Sequence, residues 1–295
     1  MPYPGPADPA DRAERLLAWF LEVCPCHRDR EWHTSTARVA AAFGVHCGPA
    51  GATPGQSFTA DVYLVFFLAL DDAPAPEKAA FATALRGGSM PPGSAPAAAH
   101  RALMDDLDAR CLPTARLCAE ISDLAAAMAR EGEADPAAMT WDEFHALRRA
   151  TIGTGPFVTL WRLLRGLPVP DPSAGPEPAV ADAVEASYLA NDLASLDRDR
   201  TAHPDDAPVT SNHVLFHAHR AGHDGLRTAV EAALTRYALL VARVGRAEGE
   251  LGHLLRDMVE GSVDAHRHLA GTRYPGAAAR MDRLRRVGHD REAGA

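Results

Sequence analysis

The chain has 295 residues, of which 47% are hydrophobic, 23% charged and 6% aromatic, enough apolar material for one large core or two small ones. Its 30 basic residues against 39 acidic ones leave a net charge of −9, which argues against a general nucleic-acid binder, whose affinity depends on neutralising phosphates. The longest unbroken apolar run, Val62 to Leu70, is nine residues against the roughly 20 that span a bilayer, so no membrane helix is expected.

The first residues, Met-Pro-Tyr-Pro-Gly-Pro, have neither the basic start nor the apolar stretch of a signal peptide, and a cytoplasmic location is expected. Residues 1–8 are expected to be mobile. Asp8-Pro9 reads as a cap followed by proline at the first helical position, opening a helix through Leu16, Leu17, Phe20 and Val23. The five cysteines are an odd number, and Cys24-Pro-Cys26-His27 has no second pair elsewhere to complete a zinc site. Reduced, structural thiols are expected.

Helical spacing of apolar residues, punctuated by Pro and Gly, continues along almost the whole chain. Further helices are expected at about 34–43, 57–72, 77–86 and 95–130, the last interrupted by Pro113. Thr140 with Glu143 makes a capping box for the next. That helix breaks at Gly153-Thr154-Gly155-Pro156 and resumes through Phe157, Leu160, Trp161 and Leu164. After a proline-rich loop from Leu167 to Pro178, helices follow at about 179–199, 210–221, 225–247 and 249–271. The expectation is an all-α chain of ten or eleven helices forming one domain, with residues 276–295 as a C-terminal tail.

Two clusters carry chemistry. Asn191, Ser195 and Asp199 lie four residues apart each time, and a four-residue step on a helix rotates only about 40° while rising about 6 Å. They therefore share a face and offer an amide oxygen, a hydroxyl and a carboxylate, hard donors suited to Mg²⁺. Arg198 beside them can reach a phosphate. A solvated polar helix face would carry the same residues. The second cluster is Asp71-Asp72, which ends the apolar run abruptly and is followed by Glu77. Two carboxylates at the end of a buried helix are costly without a compensating cation, although a helix that simply ends at the surface would also hold them.

Two rivals are weaker. Asp105, Asp106 and Asp108 lie mid-helix between Arg101 and Arg110, the pattern of an exposed face with ion pairs one turn apart. His213 and His217 are one turn apart, but no metalloprotease Glu follows and no third ligand is evident. With His219 and His223 they read as exposed histidines on a helix.

Taken together these residues resemble class I terpene synthases in their short, single-domain bacterial form. Asn191, Ser195 and Asp199 match the ligand positions of that family's Asn-Asp-x-x-Ser-x-x-x-Glu/Asp motif, with Arg198 in the place of its usual Lys or Arg. Asp71 and Asp72 match the start of its aspartate-rich motif, whose third acid is displaced here: Ala75 and Pro76 precede Glu77. Arg148, ahead of the break at Gly153, resembles the family's diphosphate-sensing arginine. Arg273-Tyr274 is similar to its C-terminal Arg-Tyr pair. An aromatic often precedes that pair, whereas Ala265 to Ala270 reads Ala-His-Arg-His-Leu-Ala.

The resemblance implies an α-helical bundle over residues 9–275 with a central active-site cavity. It implies Mg²⁺, three ions in all, bound by Asp71, Asn191, Ser195 and Asp199, with Asp72 and Glu77 as further ligands or support. Arg148, Arg198, Arg273 and Tyr274 would stabilise the departing diphosphate. Phe66, Phe67, Trp161, Tyr188 and Gly153 are candidates for the pocket wall, though helical aromatic spacing equally marks a plain core. The implied reaction is ionisation of a prenyl diphosphate, giving a terpene hydrocarbon or alcohol through carbocations, catalysed by a carbon–oxygen lyase. Few aromatics are present to steer a long cascade, which leans towards a bicyclic, labdane-type C20 substrate over linear C15. The alternatives are an all-α prenyltransferase that elongates isoprenyl chains and a noncatalytic helical binding protein. No membrane or nucleic-acid partner is expected, and a homodimer is among the expected states.

Overall fold

The computed structural model describes residues 8–24, 28–89, 93–171, 173–175, 177–203, 209–221 and 225–292, with side chains to residue 286. Cys26, His27, His223 and residues 1–7 lie outside the described residues. Thirteen α-helices and no strand occur among the described residues, and no helix there is long and apolar enough to cross a membrane. The expected all-α class is what the chain adopts.

The described residues gather into two compact units. The first comprises Met1–Gly132 and Gly155–Gly175. It contains α1 (Pro9–Val23), α2 (Arg30–His46), α3 (Pro54–Asp71), α4 (Ala75–Leu85), α5 (Ala95–Ala109), α6 (Ala115–Glu131) and nearly all of α8 (Thr154–Arg165). Side-chain caps open α1, as Asp8-Pro9 predicts, and α3, which begins ahead of its expected start near 57. The Asp8 carboxylate accepts from the Ala10 N–H, with Pro9 at the first helical position, and Thr53 with Gln56 closes a capping box on α3. The expected break at Pro113 separates α5 from α6, and Cys111 turns the chain there with a φ of 55°. α3 is buried almost all round from Thr59 to Leu70, which marks a central helix.

Inside this unit a buried ion pair ties α1 to α3. Arg12 Nε donates to Asp61 Oδ2 at 2.5 Å and Arg12 Nη2 to Asp61 Oδ1 at 2.6 Å, and the same Nη2 reaches the Ser57 carbonyl at 3.1 Å. Gly44 on α2 makes room for the pair. A Cβ there would stand 1.9 Å from Asp61 Oδ1 and 2.9 Å from Arg12 Nη2. Alanine normally favours a helix over glycine by about 1 kcal/mol, yet Gly44→Ala is expected to destabilise the protein by about 1–3 kcal/mol, because overpacking displaces a buried pair. A thermal melt of this variant checks the sign, and a rise in Tm would contradict it.

The second unit comprises Glu133–Thr154 and Pro176–Ala295, with α7 (Trp141–Thr151), α9 (Pro178–Ala202), α10 (His213–Ala221), α11 (Gly225–Val244), α12 (Gly249–His268) and α13 (Ala278–Glu292). α9 is its axis, packed against α7, α10, α11, α12 and α13. Thr140 and Glu143 form the expected capping box on α7. That helix ends at Thr151, and Gly153, at a φ of 74°, makes the turn into α8 that a side chain would resist.

Residues 276–295, expected as a tail, contain α13, whose contacts with α9, α11 and α12 bury Met281 and Leu284. Its helical signal is sparse because Ala277, Met281 and Leu284 are separated by charged residues.

Candidate metal and diphosphate site

The face predicted on α9 forms as a connected array. Ser195 Oγ donates to Asp199 Oδ2 at 2.6 Å, and Arg198 Nε donates to Asp199 Oδ1 at 2.9 Å. Behind them sits Asn212, fully buried. Its Nδ2 donates to the Asp192 carbonyl at 2.9 Å, to Ser195 Oγ at 3.2 Å and to Asp199 Oδ2 at 2.9 Å, while its Oδ1 accepts from the N–H groups of Val214 and Leu215. One amide therefore caps α10 and braces two of the three donor residues. Asn191 is half-buried, and its Nδ2 lies 3.2 Å from His266 Nε2.

The C-terminal pair lies beside this array. Tyr274 is buried, its ring 4.9 Å from that of His266, and the Arg198 guanidinium sits 5.6 Å from the Tyr274 ring centre, within reach of a cation–π contact. Arg273 is half-buried. The donor chemistry fits a hard divalent cation: an amide, a hydroxyl and a carboxylate oxygen on one face, two of them braced by a neutral amide.

Arg148, the residue that resembles the diphosphate-sensing arginine, makes a buried ion pair. It is buried on α7 and clasps Asp192, with Nη2 to Oδ1 at 2.5 Å and Nε to Oδ2 at 3.3 Å. Its Nη1 donates to Thr151 Oγ1 at 3.1 Å. The His213 N–H also donates to Asp192 Oδ2, at 2.7 Å. Burial pushes the Asp192 carboxyl up, and the adjacent Arg148 guanidinium works against that shift. Asp192 thus links α7, α9 and the start of α10, next in sequence to Asn191.

In the first unit Asp71 is the exposed last residue of α3. Asp72 follows as its C-cap, its Oδ2 accepting from Trp32 Nε1 at 3.1 Å, while Glu77 lies in the first turn of α4, half-buried. The proposed wall residues Phe66 and Trp161 are completely buried in this unit, and Phe67 is half-buried. Phe66 packs against Tyr63, Phe81 and His100, whereas Trp161 keeps a buried Nε1 without a hydrogen-bond partner. Tyr188, in the second unit, is also completely buried and its hydroxyl lies 2.8 Å from His145 Nδ1.

The rival clusters resolve into other roles. Asp106 pairs with Arg110 at 2.9 Å and accepts from Thr59 Oγ1 at 2.5 Å. The expectation of exposed histidines on α10 fails at His213, which is buried among Trp141, Phe144, His145 and Tyr188. Burial pushes it down to about 3, because that apolar setting disfavours the charged ring. His217 is half-buried and His219 exposed. Cys24, Cys47, Cys111 and Cys118 are free thiols.

Sequence reasoning missed Asn212, His266 and Asp192 as parts of the site. Asn212 had a signal, an Asn immediately before the periodic run of α10, which is an N-cap pattern. Asp192 had one as well, since it fills the Asp position of the Asn-Asp-x-x-Ser motif, whereas His266 had none beyond its residue type.

An all-α protein with its hard oxygen donors grouped along one long helix falls in the class its motifs resemble, the terpene synthases. Residues 79–237, more than half of the chain, match terpene synthase family 2, C-terminal metal binding, and the chain belongs to that family. The matched span contains Asn191, Ser195 and Asp199. No curated protein matches the sequence. Among solved structures, the SVS_A2 protein from ancestral sequence reconstruction is 20% identical with a TM-score of 0.68, over 92% of this chain and 88% of that one. The 2-methylisoborneol synthase from Streptomyces coelicolor A3(2), solved with Mg²⁺ and geranyl-S-thiolodiphosphate, is 20% identical with a TM-score of 0.64, over 93% of this chain and 95% of that one. At such identities the likeness shows the fold.

Proposed function

We propose that the chain is a class I terpene synthase that ionises a prenyl diphosphate in a Mg²⁺-dependent reaction and releases inorganic diphosphate. The observation that carries this reading is the face of α9, where Asn191, Ser195 and Asp199 stand together, braced by Asn212 and flanked by Arg198 and Tyr274. The 2-methylisoborneol synthase of the same fold was solved with Mg²⁺ and a prenyl diphosphate analogue, which supports the same ion here.

Asn191, Ser195 and Asp199 would hold Mg²⁺ through their oxygens, and Asp71 is assigned as a further ligand, with Asp72 and Glu77 in support. Three bound ions, the number the motif resemblance implies, would supply positive charge to neutralise the departing diphosphate. Arg198, Arg273 and the Tyr274 hydroxyl are assigned to hydrogen-bond its oxygens, and Arg148 to sense it. The allylic C–O bond breaks with its electron pair leaving on the diphosphate, so no protein nucleophile is needed. The carbocation left behind requires dry, apolar or aromatic surroundings, and Phe66, Phe67, Trp161, Tyr188 and the turn at Gly153 are assigned to that wall. This is carbon–oxygen lyase chemistry. A bicyclic, labdane-type C20 diphosphate is the preferred substrate class, ahead of linear C15, because a preformed ring system asks for less steering.

Incubation with C10, C15, linear C20 and bicyclic C20 diphosphates tests this, with released diphosphate quantified and products separated by gas chromatography. Mg²⁺-dependent release with a cyclised or hydroxylated product is the expected result, and no release from any of the four would overturn the reading. In the same assay Asp71→Asn is expected to lose most of the turnover and Asp105→Asn to retain it. The reverse pattern would move the acidic ligands to α5.

A further inference from the structure

His266 stands at the donor face without belonging to any of the motifs there. It is buried on α12, and its Nδ1 lies 2.7 Å from the carbonyl oxygen of Ser262, one turn earlier. A carbonyl only accepts, so this contact fixes the hydrogen on Nδ1 and leaves Nε2 as a lone pair. Nε2 is 3.2 Å from Asn191 Nδ2. Facing an acceptor, the Asn191 amide must turn its N–H₂ to the histidine and its oxygen to the opposite side. A freely turning asparagine would spend part of its time with the nitrogen outward, and an amide nitrogen is not a ligand for a hard cation.

We propose that His266 is a positioning residue that locks the Asn191 amide with its oxygen presented to the metal. The proposal rests on the metal-ligating role assigned to Asn191 above. The chain of contacts runs from the Ser262 carbonyl through the imidazole to the amide, and sets the ligand before any metal arrives. Asn212 does the corresponding work for Ser195 and Asp199 from the residue just before α10, so the three donors are held from two separate segments. The ring of Tyr274, 4.9 Å from that of His266, covers the imidazole and couples the position of the C-terminal Arg-Tyr pair to the same contact.

The test is the affinity of the full-length protein for Mn²⁺ in the presence of inorganic diphosphate, read by electron paramagnetic resonance as free against bound ion, so that no turnover is required. His266→Phe keeps a ring and removes the acceptor. It is expected to weaken Mn²⁺ binding about tenfold, the lower end of what losing an outer partner of a metal ligand costs. His266→Gln, which restores an acceptor oxygen, is expected to recover most of the affinity, an outcome that a purely structural role for the ring would not give. Asn191→Ala should weaken binding at least as much as His266→Phe, and the double variant no more than Asn191→Ala alone, since the histidine acts only through the amide. Should the Phe variant fail to fold, His266→Met fills similar space without a strong acceptor and carries the same expectation. Wild-type affinity in the His266 variants, with Asn191→Ala weakened, would overturn the positioning role and leave the metal site standing. Wild-type affinity in Asn191→Ala would instead overturn the metal assignment itself.

Discussion

Asn191→Ala and Ser195→Ala are each expected to cut Mg²⁺-dependent diphosphate release by about a hundredfold or more, the scale on which loss of one electrostatic contact to a developing anion acts. Neither substitution should unfold α9. Alanine is the best helix former, the helix is buried along most of its length, and removing the Ser195 hydroxyl leaves Asn212 still bonded to the Asp192 carbonyl and to Asp199 Oδ2. Ser195→Ala also strips the hydrogen bond that Asp199 receives at 2.6 Å, so the carboxylate loses a constraint as well as a neighbouring donor. Far-UV circular dichroism should therefore match the wild type while turnover does not. Assays at limiting Mg²⁺ are the sensitive condition, because a weakened site is refilled by mass action when the ion is in excess. Wild-type rates there would remove both residues from the metal site.

What the sequence made legible follows from the range over which each signal acts. The caps at Asp8 and Thr140 are local chemistry within three residues, and the face of Asn191, Ser195 and Asp199 follows from helical period alone. The supports of that face are long-range. Asn212 meets Ser195 across 17 positions, Arg148 meets Asp192 across 44 and His266 meets Asn191 across 75, distances at which no periodicity carries information. The burial of His213 departs from the sequence expectation for a related reason. A histidine in a polar-looking stretch suggests exposure, yet its neighbours Trp141, Phe144 and Tyr188 come from other helices. α13 escaped because its few buried apolar residues are diluted by arginine and aspartate, so its helix is defined by packing more than by pattern.

Asp192→Ala is expected to destabilise the protein by about 3–5 kcal/mol, since it leaves the Arg148 guanidinium buried without its carboxylate. It also orphans the His213 N–H that donates to Asp192. On a chain of this size a loss of that order lowers Tm by on the order of 10 °C, which differential scanning calorimetry would detect directly. Arg148→Met alone should cost a comparable amount, because the Asp192 carboxylate, completely buried, would then lose its strongest partner. The double variant Arg148→Met/Asp192→Leu separates structure from chemistry. Replacing both members of a buried pair with apolar side chains of similar volume is often neutral, so its Tm should recover the part lost to the unpaired charge, leaving only the cost of the His213 N–H that still lacks its acceptor. Its turnover should not return, because the guanidinium assigned to sense the departing diphosphate is gone. If the double variant recovers both Tm and rate, Arg148 is only a tie between α7 and α9, and the positive charge at the leaving group must come from Arg198 and Arg273.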